Sequence, residues 1–449
     1  MEGRIQKGSD VMQQIAAQSP VVEGPRVWSD ETEPGRASSR WLLGHHFGFW
    51  LAALAFLVNM GFSAVPTPLY VLYQRRDHFS DITITLVYAV YAIGVIVSLF
   101  LAGHLSDWAG RRRIFVPALL LNVLSAIVFI AEPGLIGLFV ARIISGVSVG
   151  LTTATATAYL AELHAVARPL AGKERAEVVA TTSNLGGIGV GPLAAGLLAQ
   201  FAPNPLVLPF AVFGVALVTL TLAVARAPET SRQSVRPRYR PQRIAVPSHA
   251  RGTFFAATLA GMAAFAVFGV FNSLVPSFLA GTLHNSSHAV AGAVAFAAFA
   301  GGAAAQIAHA HTANDVVLRR VVPTIVLGLG LLAGGMWVPN LALFVIGGVV
   351  AGAGGGLVFK GALVTSASTA PIGSRAEVLA GFFLGAYIGL SIPVIALAVA
   401  TTYIPARDAM LAFAFIIAVT IAWSVRSVLR QSLAAVDANE IPTTIRSAA

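Results

Sequence analysis

Long apolar runs alternate with short polar stretches along most of the chain. The apolar runs are about twenty residues long, and a helix of that length crosses a hydrocarbon core about 30 Å thick. We therefore predict an all-α polytopic membrane protein with twelve membrane-spanning helices. The predicted spans are 46–72, 82–104, 114–131, 135–160, 177–200, 206–225, 252–279, 288–308, 321–338, 341–367, 377–400 and 408–426.

Positive charge is concentrated on one predicted side of the membrane. Only 11% of the 449 residues are charged, against about 25% in soluble domains. An even number of crossings puts both termini on one side, and 24 of the 29 Lys and Arg residues lie in the tails and loops there. The positive-inside rule predicts that this side is cytoplasmic. We expect a multi-pass plasma-membrane protein, in bacteria of the inner membrane, and the net charge of +10 requires no nucleic-acid partner.

A segment rich in proline and arginine divides the predicted spans into six and six. Its composition, over residues 226–251, opposes both membrane insertion and a packed helix. The predicted divisions are a disordered cytoplasmic tail (1–43), an N-terminal six-helix bundle (44–225), a basic cytoplasmic linker (226–251), a C-terminal six-helix bundle (252–426) and a cytoplasmic C-terminal tail (427–449).

The two halves share short matches in the same order, which indicates an internal repeat. The stretch "RAEVVA" at 175–180 recurs as "RAEVLA" at 375–380, each at the start of the fifth span of its half. The other matched pairs are Gly61/Gly269, Pro68/Pro276, Gly146/Gly352, Gly150/Gly356 and Leu151/Leu357. Repeats of this kind are typical of transporters, in which one half moves against the other around a central site. We therefore expect two pseudo-symmetric bundles.

The loop between the second and third spans is unusually charged. It reads "GHLSDWAGRRR" at 103–113, with an aspartate between two glycines and three arginines directly after the second glycine. Arginines here anchor a loop at an anionic membrane surface, and the aspartate can pair with one of them.

In this loop the chain resembles the major facilitator superfamily, whose signature is G-x-L-x-D-[RK]-x-G-R-[RK]. Trp108 replaces the usual basic residue, and the matching positions are Gly103, Leu105, Asp107, Gly110, Arg111 and Arg112. The resemblance covers about residues 44–426. It implies a cytoplasmic gating loop, formed by Gly103, Asp107, Gly110, Arg111 and Arg112, that joins the two halves by charge pairing.

Two further stretches are similar to patterns of the same family. "LFVARIISGVSVG" at 138–150 resembles its fourth helix, and "GIGVGPLAAG" at 187–196 resembles the G-x-x-x-G-P pattern of its exporters. The second resemblance implies the drug:proton antiporter-like branch. Glycines one turn apart permit close helix contact, and an internal proline favours a bend. The predicted packing and hinge positions are Gly187, Gly191 and Pro192, with Gly389 and Pro393 in span 11.

Few strongly polar side chains lie inside the predicted spans. Arg142 lies roughly 10 Å below the outer surface, where an unpaired arginine costs about 2.5–3.5 kcal/mol, so it should face a cavity or a partner. Lys360 lies near the cytoplasmic end of its span and either faces a cavity or reaches the surface. No Asp or Glu lies deep in a span, which argues against a carboxylate-coupled pump for cations. The predicted substrate or coupling residues are Arg142, Lys360, Asn59, Asn184, Asn272 and Gln306.

The remaining chemistry excludes several classes of protein. The chain has no cysteine, and we find no metal-ligand cluster, nucleotide-binding loop or acid–base pair, so we expect no enzyme, cofactor or metal. We predict a monomeric secondary transporter of a small organic solute that works by alternating access, most simply by proton-coupled efflux. An uptake symporter or facilitator for an organic solute or anion is the first alternative. A membrane sensor or scaffold that transports nothing is the second.

Overall fold

A computed structural model describes residues 43–102, 105–231, 246–371 and 375–440 of the chain. Within these ranges, the side chains of residues 249, 375, 376 and 432–440 are not described. Several predictions fall outside the described residues. They concern the N-terminal tail up to residue 42, Gly103 of the gating loop, linker residues 232–245, and residues 441–449 of the C-terminal tail.

The described residues are helical, and they contain no strand. Short 3-10 turns lie at Thr67–Leu69 and Ser248–Ala250, and a π-helical turn lies at Thr182–Gly186. The helices are α1 (His45–Ala64), α2 (Tyr70–Asp77), α3 (Asp81–Ala102), α4 (Leu105–Ala109), α5 (Arg111–Ala131), α6 (Leu135–Ala167), α7 (Glu174–Thr181), α8 (Gly187–Phe201), α9 (Leu208–Val224), α10 (Arg251–Ser273), α11 (Val275–Gly281), α12 (His288–Ala308), α13 (Asn314–Trp337), α14 (Leu341–Ser368), α15 (Arg375–Ala400) and α16 (Ala406–Glu440). The prediction of an all-α membrane protein is confirmed.

Ten helical segments of the described chain are long and apolar enough to cross a membrane. The two other predicted spans, at 177–200 and 206–225, take a different form. The π-helical turn separates α7 from α8 in the first, and α9 in the second is a shorter apolar helix of 17 residues. Turns of this kind insert one extra residue into a helix and are frequent at functional sites. Ten of the twelve predicted crossings therefore satisfy the length and composition of a span.

The buried apolar side chains form two separate cores. One core is built mainly from residues of α1 to α9, including Phe56, Phe115 and Tyr159, and it also contains Tyr387 and Leu390 of α15. The other is built from residues of α10 to α16, and it includes Phe271 and Phe344. Below, "first half" denotes residues 44–225 and "second half" residues 252–426. Each half therefore buries an apolar core of its own.

The first pair of matched glycines makes equivalent helix contacts in the two halves. Gly61 of α1 lies against α8, where a methyl group on Gly191 would be 2.0 Å from the carbonyl oxygen of Gly61. Gly269 of α10 lies against α15, where a methyl group on Gly269 would be 2.7 Å from Val394 Cγ2 and 3.0 Å from the carbonyl oxygen of Leu390. Only a glycine fits at backbone distances this short. The first and fifth predicted spans of each half therefore touch at corresponding places.

A second pair of glycine contacts repeats between the fourth and second predicted spans. A methyl group on Gly146 would be 2.1 Å from the carbonyl oxygen of Tyr91 in α3, and one on Gly352 would be 2.0 Å from that of Ala298 in α12. One turn further, Gly150 meets α3 again and Gly356 meets α12 again. These contacts support the internal repeat that the sequence predicts.

Candidate substrate pathway and gating loop

The two halves are hydrogen-bonded to each other at the end of the molecule that carries Arg75. There the Thr67 hydroxyl donates to the carbonyl oxygen of Asn272 at 3.0 Å. The Ser277 hydroxyl donates to Asp81 Oδ1 at 2.9 Å, and Gln74 Nε2 of the first half donates to the same oxygen at 2.7 Å. Among the described residues, Asp81 is the one carboxylate that accepts a hydrogen bond from the other half.

Further cross-half contacts lie at the same end. Arg75 Nη2 donates to the Ser286 hydroxyl at 3.3 Å. The backbone N–H of His288 donates to Gln200 Oε1 at 3.1 Å, and His288 Nδ1 lies 3.2 Å from the carbonyl oxygen of Pro68. We call the whole set the Arg75-side gate; its members are Thr67, Pro68, Gln74, Arg75, Asp81, Gln200, Asn272, Ser277, Ser286 and His288.

Deeper in the molecule, α15 of the second half packs against α3 of the first. The Ser391 hydroxyl donates to the carbonyl oxygen of Ala89 at 3.3 Å. Tyr387 and Leu390 are buried in the core of the first half. The contact between the halves therefore continues inward from the Arg75-side gate to the level of Ala89.

Arg142 is buried beside this junction, with 2% of its surface exposed. Its Nη1 donates to the carbonyl oxygen of Ser63 at 2.6 Å, and its Nη2 lies 3.4 Å from that of Tyr88. Its guanidinium carbon lies 4.5 Å from the ring centre of Tyr91 and 5.4 Å from that of Tyr88. Its Nε has no hydrogen-bond acceptor among the described residues. The partners of Arg142 are thus neutral.

Asn59 lies in a polar cluster inside the first half. Its Nδ2 donates to the hydroxyls of Thr152 and Ser148, at 3.0 and 3.3 Å, and its Oδ1 accepts from Asn122 Nδ2 at 2.9 Å. All four side chains are fully buried. The structure therefore places Asn59 between α1, α5 and α6 rather than at the junction of the halves. It also shows the partner Asn122, which our sequence analysis does not single out.

The other predicted polar residues are dispersed. Asn272 is part of the Arg75-side gate, and Asn184 lies half-buried in the π-helical turn. Gln306 Nε2 donates to the carbonyl oxygen of Gly356 at 3.0 Å, which joins α12 to α14 inside the second half. Lys360 Nζ donates to the carbonyl oxygen of His309 at 2.5 Å, and Glu177 of the first half interacts with it electrostatically. The six predicted residues therefore do not form one cluster in this conformation.

The predicted gating loop lies at the opposite end of the molecule, which we call the Arg111 side. Arg111 Nη1 pairs with Asp107 at 2.5 Å, and its Nη2 pairs with Glu162 of α6 at 2.9 Å. Gly110 has a φ of 109°, which favours glycine, and it precedes α5. Among the described residues, the ion pairs of this loop stay within the first half. Its charge pairing with the second half remains a prediction.

The beginning of the linker is bound to this loop. Glu229 Oε1 accepts the backbone N–H groups of Arg111 and Arg112, at 2.7 and 3.3 Å, at the start of α5. A carboxylate at a helix N-terminus satisfies free N–H groups and complements the helix dipole. The Thr230 hydroxyl donates to Glu162, and the Ser231 hydroxyl to the carbonyl oxygen of Asp107. A methyl group on Gly110 would lie 2.7 Å from Glu229 Oε2, so a larger residue there would displace this carboxylate as well as strain the backbone at a φ of 109°.

Sequence reasoning missed two important carboxylates, Asp81 and Glu229. Both lie outside the apolar runs, and their partners are 196 and 118 residues away along the chain. The sequence does contain a signal for Asp81, because acidic residues are common at the N-terminal end of a helix and Asp81 directly precedes an apolar run. Nothing in the pattern indicates its partner in the other half.

The predicted packing and hinge residues lie within long helices. Gly187 and Gly191 contact α1, and Gly389 contacts α10. Pro192 and Pro393 are internal to α8 and α15. Their hinge role remains a prediction.

The fold and the charged loop together define a multi-pass helical membrane protein of transporter type. Comparison with protein families agrees: the model of the Major Facilitator Superfamily matches residues 49–268, about half of the chain. The chain belongs to the major facilitator superfamily, which is a family of transporters and not of enzymes.

The similarity to a curated relative covers much less of the chain. The arabinose-proton symporter of Bacillus subtilis (strain 168) is 38% identical over 77 residues, which are 17% of this chain and 17% of that protein. The match thus spans about a sixth of the relative's length. Together the two comparisons support a secondary transporter. The assignment to the drug:proton antiporter-like branch stays a prediction.

Proposed function

We propose that the protein carries a small organic solute across the plasma membrane by alternating access. The two chain halves act as six-helix bundles, and the Arg75 side faces the exterior, as the distribution of positive charge predicts. The observation that carries this proposal is the set of hydrogen bonds in the Arg75-side gate, which join the halves at one end. At the other end the ion pairs of the charged loop stay within the first half, and Lys360 and Glu177 interact electrostatically across the halves.

One-sided closure is what alternating access requires of each of its end states. A solute site between the halves opens to one compartment when the contacts at that end separate and those at the other end form. The described structure corresponds to the state closed on the Arg75 side. In the opposite state, Asp107 and Arg111 exchange their partners in the first half for partners in the second half.

The proposed direction is efflux, coupled to proton entry. The contact of Gly187 and Gly191 with α1, next to Pro192, supports this direction because the sequence pattern there resembles that of exporters. Proton coupling needs a group whose hydrogen bonds change between the two states. Asp81 meets this condition, since opening the Arg75-side gate separates it from Ser277.

Uptake by proton symport is the second candidate. The similarity to an arabinose-proton symporter favours it, although that similarity covers 17% of the chain. Both candidates share the same halves and the same gate. They differ in whether the solute and the proton move in opposite directions or together.

Transport by proteoliposomes containing the full chain tests the proposal. A pH gradient across the membrane should drive accumulation of a radiolabelled solute from a mixed panel, and a protonophore should abolish it. The sign of the effective gradient separates antiport from symport, and accumulation that ignores the gradient indicates a facilitator. A protein that binds a solute from the panel and moves none of the panel is a sensor or scaffold, and that result refutes the proposed function.

A further inference from the structure

Arg142 is a buried cation for which the described residues supply no anion. Its hydrogen-bond acceptors are two backbone carbonyls, on Ser63 and Tyr88, and its other neighbours are tyrosine rings. Neutral partners offset only part of the cost of removing a guanidinium from water. An anion that reaches this group therefore gains more than it would at an exposed arginine.

Unused hydrogen-bond donors lie beside this guanidinium. Arg142 Nε and the Tyr88 hydroxyl are both buried, and neither makes a hydrogen bond of normal geometry with the described residues, although Asn272 lies near the Tyr88 hydroxyl. The Ser145 hydroxyl, one helical turn from Arg142, is also buried and unpartnered in the described structure. Buried donors are almost always satisfied in proteins. A ligand rich in acceptors, such as a carboxylate, would satisfy them.

The place of this group in the fold is also appropriate for a solute site. Tyr88 and Tyr91 lie on α3, which packs on α15 of the second half through Ser391. Tyr387 of α15 is buried in the same core and lies near both tyrosines. Separation of the halves at the Arg75-side gate would expose this side of the cluster. The site then opens to the Arg75 side in that state.

We propose that the cluster of Arg142, Ser145, Tyr88, Tyr91 and Tyr387 binds the carboxylate group of a small organic anion. This inference rests on the proposed function and specifies the class of solute. The guanidinium and the free donors bind the carboxylate, and the tyrosine rings contact the carbon skeleton. An amine in the same place would meet like charge, so the site rejects organic cations.

Thermal unfolding of the purified full chain tests the charge preference directly. The probes are 3-phenylpropionate, 3-phenylpropanamide and 3-phenylpropylamine, which share a skeleton and differ in charge. A second pair, arabinonate and arabinose, does the same for a polyol. The anion of at least one series should raise the melting temperature, whereas its neutral and cationic counterparts should not. If no anion shifts the unfolding of the wild-type chain, or if the amine shifts it most, the inference is wrong.

Variants locate the site. Arg142→Gln should weaken binding of the active anion about tenfold or more, since a hydrogen bond to a charged group contributes about 1.5–3 kcal/mol. Arg142→Lys should retain part of the affinity because the charge stays. The matched control is Arg407→Gln, which removes an exposed arginine that also stacks on an aromatic ring, 4.9 Å from the centre of Trp337. Equal loss in Arg407→Gln and Arg142→Gln would refute the assignment, and the wild-type series decides the matter if Arg142→Gln does not fold.

The same probes in proteoliposomes separate this inference from the proposed function. Movement of arabinose or the phenyl amide, with none of the anions, would refute the anion site and leave the transporter assignment intact. Binding of an anion without movement of any probe would support the anion site and refute the proposed transport function. An equal thermal shift by inorganic sulfate would refute the assignment to organic carboxylates, since sulfate has no carbon skeleton to contact the tyrosine rings.

Discussion

Removing the charge of Asp81 should open the Arg75-side gate. The Ser277 hydroxyl donates to this carboxylate from the other half at 2.9 Å, whereas Gln74, the second donor, belongs to the same half as Asp81. Of the two hydrogen bonds to Asp81, only the one from Ser277 is therefore lost when the halves separate. A hydrogen bond to a charged group contributes about 1.5–3 kcal/mol and a neutral one about 0.5–1.5 kcal/mol. Asp81→Asn should consequently shift the equilibrium towards the state open on that side by about 1–2 kcal/mol, or roughly 5- to 30-fold.

The absence of cysteine from the natural sequence makes this shift measurable. Ser145→Cys introduces one nearly isosteric thiol at a fully buried position near Arg142. Its rate of labelling by a membrane-impermeant maleimide, applied from the Arg75 side, reports how often the gate opens. We expect Asp81→Asn to raise that rate about 5- to 30-fold. Ser277→Ala should have a similar effect, and the double variant should add little to either single change.

Asp408→Asn is the matched control for this measurement. Asp408 also lies in the first turn of its helix, but its ion pair is with the neighbouring Arg407 and does not join the halves. The Ser145→Cys thiol should be labelled at the same rate in the Asp408→Asn variant as in the parent protein. The reasoning fails if Asp81→Asn and Ser277→Ala leave the rate unchanged, or if Asp408→Asn raises it equally.

Three further predictions concern packing and the linker. Gly191→Ala should destabilise the protein by about 1–3 kcal/mol in thermal unfolding, because the added methyl group would lie 2.0 Å from the carbonyl oxygen of Gly61. Gly330→Ala, where no atom lies within 4 Å, should leave stability unchanged or raise it slightly, because alanine is the better helix former. Equal destabilisation by both changes would contradict the packing argument. Gly191→Leu should prevent assembly of α8 on α1, so that little monodisperse protein is recovered on gel filtration, whereas Gly330→Leu should be recovered normally. Glu229→Gln should speed trypsin cleavage after Arg226 severalfold, because the carboxylate that holds the linker on α5 loses its charge. The control Glu174→Gln, at an exposed position, should leave the cleavage rate unchanged.

The apolar pattern predicted most of the architecture for a simple physical reason. Hydrocarbon solvates neither charge nor a free backbone amide, so each crossing must be a long apolar helix, which is visible in sequence. The glycine matches were equally informative, since Gly61 and Gly269 occupy equivalent helix contacts. The exceptions are local. The π-helical turn at Thr182–Gly186 depends on packing between helices, and α9 falls just short of the length of a typical span.

The candidate site was less predictable because its polar side chains have distant partners. Asn59 was expected beside the substrate, yet it bonds to Asn122 and Thr152 inside the first half. Hydropathy shows that a polar group is buried but gives no direction for its side chain. Arg142 was identified because a guanidinium in a span is costly wherever it points. Its tyrosine partners on α3 could not be separated by sequence from ordinary core residues.

Arg142 and Asp81 suggest how binding and opening are connected. Asp81 holds the two halves together at the Arg75 side, and Arg142 lies behind that contact with neutral partners. Asp81→Asn removes the charge that attracts the Ser277 hydroxyl, so the gate separates more readily in that variant. The same separation makes Arg142 accessible to an anion from that side. Asp81→Asn and an organic anion bound at Arg142 from that side therefore favour the same open state, so the substitution should raise the apparent affinity for the anion by the factor by which it raises the population of that state. Affinity for the active anion that is higher in Asp81→Asn than in the parent protein, but unchanged in Asp408→Asn, would establish this connection, whereas equal affinities in all three proteins would exclude Asp81 from it.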